Sequence, residues 1–404
     1  MSSVTRDASL SILTPARWLF IGLVIFFPLI EVGGFPLALP LLITPIIIRY
    51  DSPSIYIYAG VFGSILIGLV TITNVYNAEV IAAKDLFYWT LPLFYPLFII
   101  LGIKIFSGNG YNRAHIALKL FFVVQVVIIG VQLLNPLGIL SYLEAYFQTL
   151  SVNVGAALRH GSVEVLQRRP GGTIGMSTRV GFVAYLLGRF LTTYTDRYRY
   201  VVLAGLLALA SSSRMAMITI AVTEAIVLGL PVLRSQKPEI QPRTMILTAL
   251  PAAVVGFALI AYHPFLSRYV DAAISGDLIN TILSSHSIQH RSQSYSYLLN
   301  NPEKFFTGGL VVSNFHTFAY DSELVLRTLQ FSFVGYLSFK LPLIACWLRG
   351  IQKSDTRLRR LGVVLVLVSI LSSLTMTTSS NMYFILLYGV LIAAGEASSR
   401  TLSG

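Results

Sequence analysis

Apolar stretches nearly as long as a bilayer is thick recur from residue 17 to residue 397, and this recurrence constrains the fold more than any other feature of the chain. A helix needs about 20 predominantly apolar residues to cross the hydrocarbon core, fewer where it is short or tilted. Twelve candidates follow: 17–32, 35–49, 55–76, 86–105, 116–137, 174–192, 198–213, 215–233, 244–262, 328–348, 361–379 and 382–397. Of the 404 residues 55% are hydrophobic and 11% charged, against about 25% charged in soluble domains. The expectation is an all-α polytopic membrane protein with about 12 transmembrane helices, forming one transmembrane domain over 1–404. The first stretch has no small-residue cleavage pattern and reads as a retained helix.

Orientation follows from the bias of lysine and arginine toward cytoplasmic loops. With the N-terminus inside, 18 of the 29 basic residues fall on the cytoplasmic side, Arg189 among them, ten fall outside, and Lys340 is left within the tenth span. Both termini are then cytoplasmic. Two long connections, 138–173 and 263–327, face outward. Long connections tend to carry function, which puts the chemistry on the outer side. The second is expected to contain surface-lying helical pieces such as 292–300, punctuated by Pro302, Gly308 and Gly309. The net charge of +12 comes from cations scattered between apolar spans. They form no basic, aromatic-interleaved domain, so nucleic acid is not the expected partner.

Three arginine-bearing stretches break the apolar pattern. An arginine costs about 2.5 kcal/mol or more at mid-bilayer, so cations converging on one face suggest an anionic ligand. Arg168 and Arg169 precede Pro170-Gly171-Gly172-Thr173, a Gly-rich turn feeding a helix. Such a helix start exposes backbone N–H groups and is a setting for phosphate, although arginines in a flexible loop at a headgroup surface would look the same. Arg214 follows Ser211-Ser212-Ser213 with almost no loop, and either lines a polar cavity or snorkels outward. Arg291 lies beside His290, a general base near neutral pH or a solvated spectator, as are His316 and His286.

Asp321 and Glu323 precede the tenth span. A carboxylate held at a membrane surface accepts a proton from a sugar hydroxyl; the bland alternative is an acidic helix start with Asp321 or Ser322 as N-cap. Glu224, central in the eighth span, reads as protonated and bonded to a neighbouring helix, Lys340 as snorkelling inward, and Cys346 as packing. No metal constellation is convincing: His286 and His290 have helical zinc-pair spacing without the glutamate of a protease motif. No cofactor is expected, and nucleotide-binding loops are lacking.

In order along 160–345, four pieces resemble the O-antigen polymerase and ligase family of bacterial envelope glycan assembly. They are Arg169 before the turn Gly172-Thr173-Ile174-Gly175; Ser213-Arg214; Arg291 followed by Pro302 and Gly308-Gly309; and a polar cluster from Asp321 leading to an aromatic-x-x-x-Gly pattern ending at Gly335. The resemblance implies a GT-C-like integral-membrane glycosyltransferase of the bacterial inner membrane with a periplasmic active site. It would work on undecaprenyl-pyrophosphate-linked oligosaccharides as donor and acceptor, without a metal. A chain-length regulator is a further partner it brings to mind. Arg168, Arg169, Arg214 and Arg291 would meet the pyrophosphate charge. The acceptor base lies among Asp321, Glu323, His290 and His316, and Tyr295, Tyr297 and Tyr320 would hold sugars. Ligases of the family usually carry His-Asn where this chain has Tyr320-Asp321-Ser322, which favours a polymerase of repeat units. Ligation onto lipid A core, and from another class a flippase or exporter of lipid-linked glycan, are the alternatives.

Overall fold

A computed structural model describes residues 31–32, 35–36, 54–76, 83–106, 110–140, 177–195, 197–233, 286–309, 322–375 and 382–402, with isolated positions at 256 and between 271 and 281. The described residues are nearly all helical. The helices are α1 (Ser54–Tyr76), α2 (Ala83–Phe106), α3 (Gly110–Leu134), α4 (Ser177–Thr195), α5 (Arg199–Ala210) and α6 (Arg214–Leu233). They continue with α7 (His286–Asn300), α8 (Pro302–Thr307), α9 (Glu323–Ser338), α10 (Leu341–Gln352), α11 (Thr356–Ser373) and α12 (Met382–Leu402). The remaining regular elements among the described residues are a 3-10 turn at Pro136–Gly138 and a two-residue antiparallel pairing of Glu31–Val32 with Phe35–Pro36, where the first two expected spans join. The rest of spans one and two, and of span nine, lies outside the described residues.

Three stretches are long and apolar enough to cross a membrane: Ser54–Thr73, His115–Leu134 and Glu323–Gln352. Their exposed faces are apolar at helical spacing. Along α1, Tyr58, Phe62, Ile65, Leu69 and Ile72 point outward; along α3, Ile116, Leu120, Val123 and Val127 do. Meanwhile Glu323, Arg327, Lys340, Arg189, Glu224 and Glu396 are buried. Apolar outside and charge inside is the reverse of a water-soluble fold and is compatible with a chain in a bilayer.

Close helix contacts are made by small residues. A Cβ at Gly60 would lie 2.8 Å from the Pro92 carbonyl oxygen, and one at Gly188 would lie 2.6 Å from that of Tyr200, so α1 rests on α2 and α4 on α5 backbone to backbone. Two reversals between helices use serine in the left-handed conformation. At the end of α5, Ser212 (φ 54°) follows the last turn, and the N–H groups of Ser212 and Ser213 return to the carbonyls of Leu209 and Ala208. At the end of α10, Ser354 (φ 53°) does the same, with Ser354 and Asp355 bonding Ile351 and Gly350. This pairing satisfies the last carbonyls of each helix and starts the next helix at once. Asp355 then caps α11 by accepting from the N–H groups of Arg357 and Leu358.

The stretch Glu323–Gln352, which covers the tenth span expected at 328–348, is not one straight helix. Seventeen residues separate Glu323 from Lys340, about 25 Å along an ideal helix, yet Lys340 Nζ lies 3.4 Å from Glu323 Oε1. Two extended side chains cannot close that gap. The chain doubles back at Ser332, whose φ of 65° and ψ of 172° interrupt α9. One leg runs from Glu323 to Phe331 and the other returns from Phe333 toward Lys340. Arg327 stands over the Phe339 ring at 6.0 Å and Phe331 meets Phe339 at 6.2 Å, which packs leg against leg.

Candidate functional site

The doubled-back α9 gathers the buried charge of this half of the molecule. Ser322 caps its first leg, its hydroxyl accepting from the Val325 N–H at 3.3 Å and donating to the Ser373 carbonyl at 3.1 Å. Ser332 starts the second leg in the same way, accepting from the Gly335 N–H at 3.4 Å. Its backbone conformation is one that non-glycine residues rarely adopt, at a cost of about 1–3 kcal/mol. Gly335 completes the aromatic-x-x-x-Gly pattern for a local reason: a Cβ there would collide with Phe331 Cβ.

Glu323 is fully buried, and the sequence reading of a surface carboxylate does not match its place. Lys340, expected to snorkel, is 1% exposed. Its ammonium has three protons and three acceptors: Glu323 Oε1 at 3.4 Å, the Ser369 carbonyl at 3.2 Å and Ser369 Oγ at 2.9 Å. The Tyr336 ring lies 4.9 Å from the same ammonium. Tyr336 OH in turn lies 2.7 Å from Ser373 Oγ; Ser373 directs its own proton to the Ile370 carbonyl, so Tyr336 is the donor. Arg327 bonds the side chain of Gln330 on the first leg.

The helices of the second long connection dock here. Tyr295 of α7 donates to the Leu374 carbonyl at 3.0 Å and lies 3.1 Å from Ser322 Oγ. Tyr297 and Leu298 pack on Val325 and Leu329. Past α8, the Gly309 N–H donates to the Gln330 carbonyl at 3.2 Å, beside the bend. Gly308 holds φ at 65°, and a Cβ on it would lie 2.6 Å from Ser332 N, so both its conformation and its space require glycine. Phe305 stacks on Phe333 at 4.5 Å. Two of the four motif pieces, the glycine pair and the segment ending at Gly335, therefore meet at the tip of the α9 hairpin.

The remaining sequence candidates are placed as follows. Arg214 is half-buried at the first turn of α6, after the buried Ser211–Ser213 reversal, and α6 packs on α4 and α11. His290 and Arg291 fall within α7, Arg291 four residues before Tyr295. Arg168, Arg169, His316, Tyr320 and Asp321 lie outside the described residues. Among the described residues, no three His, Cys, Asp or Glu side chains gather as a metal site would need. Cys346 is buried and packs.

Two further buried carboxylates lie elsewhere. Glu224 accepts from Tyr185 at 2.6 Å and Tyr198 at 3.2 Å, with Arg189 at 3.5 Å. It meets neighbouring helices as expected, but an arginine pairs with it, and that arginine is fully buried in α4. Glu396 near the end of α12 accepts from Tyr56 at 2.8 Å and pairs with Arg349 at 3.5 Å and with Lys353. No protein-family model matches this chain, and no curated protein matches it in sequence.

Sequence reasoning missed the Glu323–Lys340 pair, the Ser332 bend and the serine face of α11. The signal for the last was present: Ser369, Ser372 and Ser373 repeat at helical spacing inside an apolar helix. Nothing in the sequence points to a contact across seventeen residues of one apparent span.

Proposed function

We propose that the chain is a polytopic glycosyltransferase with about 12 transmembrane helices, GT-C-like, that polymerises lipid-linked oligosaccharide repeat units at the periplasmic face of a bacterial inner membrane. The acceptor sugar hydroxyl attacks the anomeric carbon of the growing chain. The bond to undecaprenyl pyrophosphate breaks, the pyrophosphate leaves with the electron pair, and the hydroxyl proton passes to a base. Arg168, Arg169, Arg214 and Arg291 meet the charge that develops on the leaving group. Asp321, His290 and His316 are the candidates for the base, since Glu323 is engaged by Lys340 inside the protein. Tyr297 and Tyr320 are the candidates for holding the sugars, and Tyr295 anchors α7 on Ser322 and Leu374.

The single observation that supports this reading most is the docking of the Gly308–Gly309 turn on the tip of α9. It joins motif pieces that the resemblance treats as parts of one site, and it brings the helix carrying His290 and Arg291 to a bundle with buried cations. The test is purified protein supplied with lipid-linked repeat units and resolved on a gel. A product ladder is expected; an authentic substrate that never grows overturns the reading. Arg214→Ala and Arg291→Ala are each expected to lower chain growth by about 100-fold or more, as removal of a transition-state charge partner does. Normal growth in both removes the pyrophosphate assignment.

The bent α9 also favours a second reading, because interrupted helices with interior charges line transport paths. A flippase or exporter would move labelled lipid-linked glycan across a proteoliposome membrane without lengthening it.

A further inference from the structure

The hairpin of α9 is closed at its base by one contact and touched at its tip by another. At the base, Lys340 ties the start of the first leg, through Glu323 Oε1, to the end of the second leg and to Ser369 of α11. At the tip, Ser332 holds a strained backbone and Gly308 and Gly309 rest against it. Between the two, the legs touch through Arg327, Phe331 and Phe339. A strained bend persists only where the surroundings over-determine it. Here the base is the surrounding that the chain itself supplies.

We propose that Lys340 is a positioning residue, the clasp that sets the α9 hairpin and through its tip sets α7 and α8, the helices that carry His290 and Arg291. This rests on the proposed glycosyl transfer for its catalytic consequence, but the structural half stands without it. Releasing the clasp lets the legs part, and the tip then no longer presents the Gln330 carbonyl to Gly309. Tyr295 follows, because its partners Ser322 and Leu374 flank the base of the same hairpin. The other buried carboxylates are not involved: Glu224 and Glu396 have their own cations.

Hydrogen–deuterium exchange on the purified full chain, with Lys340→Met and Glu323→Gln, tests the structural half. Exchange in 286–309 is expected to rise about tenfold or more in either variant, as for a local opening, while α4 to α6 stay protected. The double variant Glu323→Gln/Lys340→Met, which leaves no unpaired charge but also no clasp, is expected to stay less protected than wild type in 286–309; full recovery there would overturn the clasp, since the unpaired charge alone would then have opened the hairpin. Unchanged exchange in 286–309, or an equal rise throughout the chain, overturns the clasp. Where wild type makes polymer, Lys340→Met is expected to raise the donor KM about tenfold with kcat within about threefold, and Lys340→Arg to restore part of it. A fall in kcat alone overturns the positioning role. Wild type that makes no polymer defeats the proposed function and leaves the exchange result to decide the clasp.

Discussion

The buried Glu323 and the buried Glu396 solve one electrostatic problem in two ways. Glu396, in α12, receives two cations from α10 and its C-cap and a tyrosine from α1, and those cations reach outward, with side chains 28% and 24% exposed. Among the described residues the cation on Glu323 is Lys340, sealed at 1%, which comes from the far leg of its own hairpin. The first arrangement is redundant and wet at its edge, so it staples helices. The second is dry, and it closes the base of a hairpin whose far tip is strained. An unpaired charge left in such surroundings is costly, whereas removing both partners need not be.

The comparison breaks most visibly at the Glu323–Lys340 pair. Lys340→Met or Glu323→Gln alone is expected to destabilise the chain by about 3–5 kcal/mol, as loss of one member of a buried pair does. Thermal unfolding in detergent, with the double variant alongside, checks it; a double variant no better than the singles would show that the two charges are not coupled. Gly308→Ala is next, at about 2–3 kcal/mol, because it combines a left-handed φ with a Cβ against the tip backbone. Its α10–α11 counterpart has the opposite sign: Ser354→Gly relaxes a left-handed serine and is expected to gain about 0.5–1 kcal/mol. Ser332→Gly removes the strain at the tip, with an expected gain of about 1 kcal/mol in stability, and activity measured on the same sample shows whether that strain is used. The smallest effect belongs to the redundant site. Lys353→Met leaves Arg349 and Tyr56 on Glu396 and is expected to cost about 1 kcal/mol or less.

Much of the helical layout was legible. Eight of the twelve expected spans coincide with described helices, from 55–76 on Ser54–Tyr76 to 382–397 on Met382–Leu402, within a few residues at most ends, and the tenth, 328–348, falls across the interrupted α9 and α10. The helical piece expected near 292–300 is part of α7, and Ser322, one of two candidates, is the N-cap of α9. The site was legible only in parts. The glycine pair and Gly335 stood out because glycine is tied to backbone demands that act locally. Of the two readings of Glu323 the acidic helix start holds and the surface carboxylate does not, because its surroundings are made by Lys340 and α11, residues remote along the chain.

Apolar runs and their breaks determined by themselves that this chain is helical and where its helices lie, since helix length and hydropathy are local properties. The sequence also marked which cations and glycines are out of place in such a setting. Only the tertiary structure decided that the stretch from Glu323 folds back on itself, that Lys340 closes it, and that the Gly308–Gly309 turn lands on its tip. A straight helix and a doubled one have the same periodicity and the same apolar content. What separates them is whether a buried carboxylate finds its cation, and that depends on contacts between residues far apart in the chain.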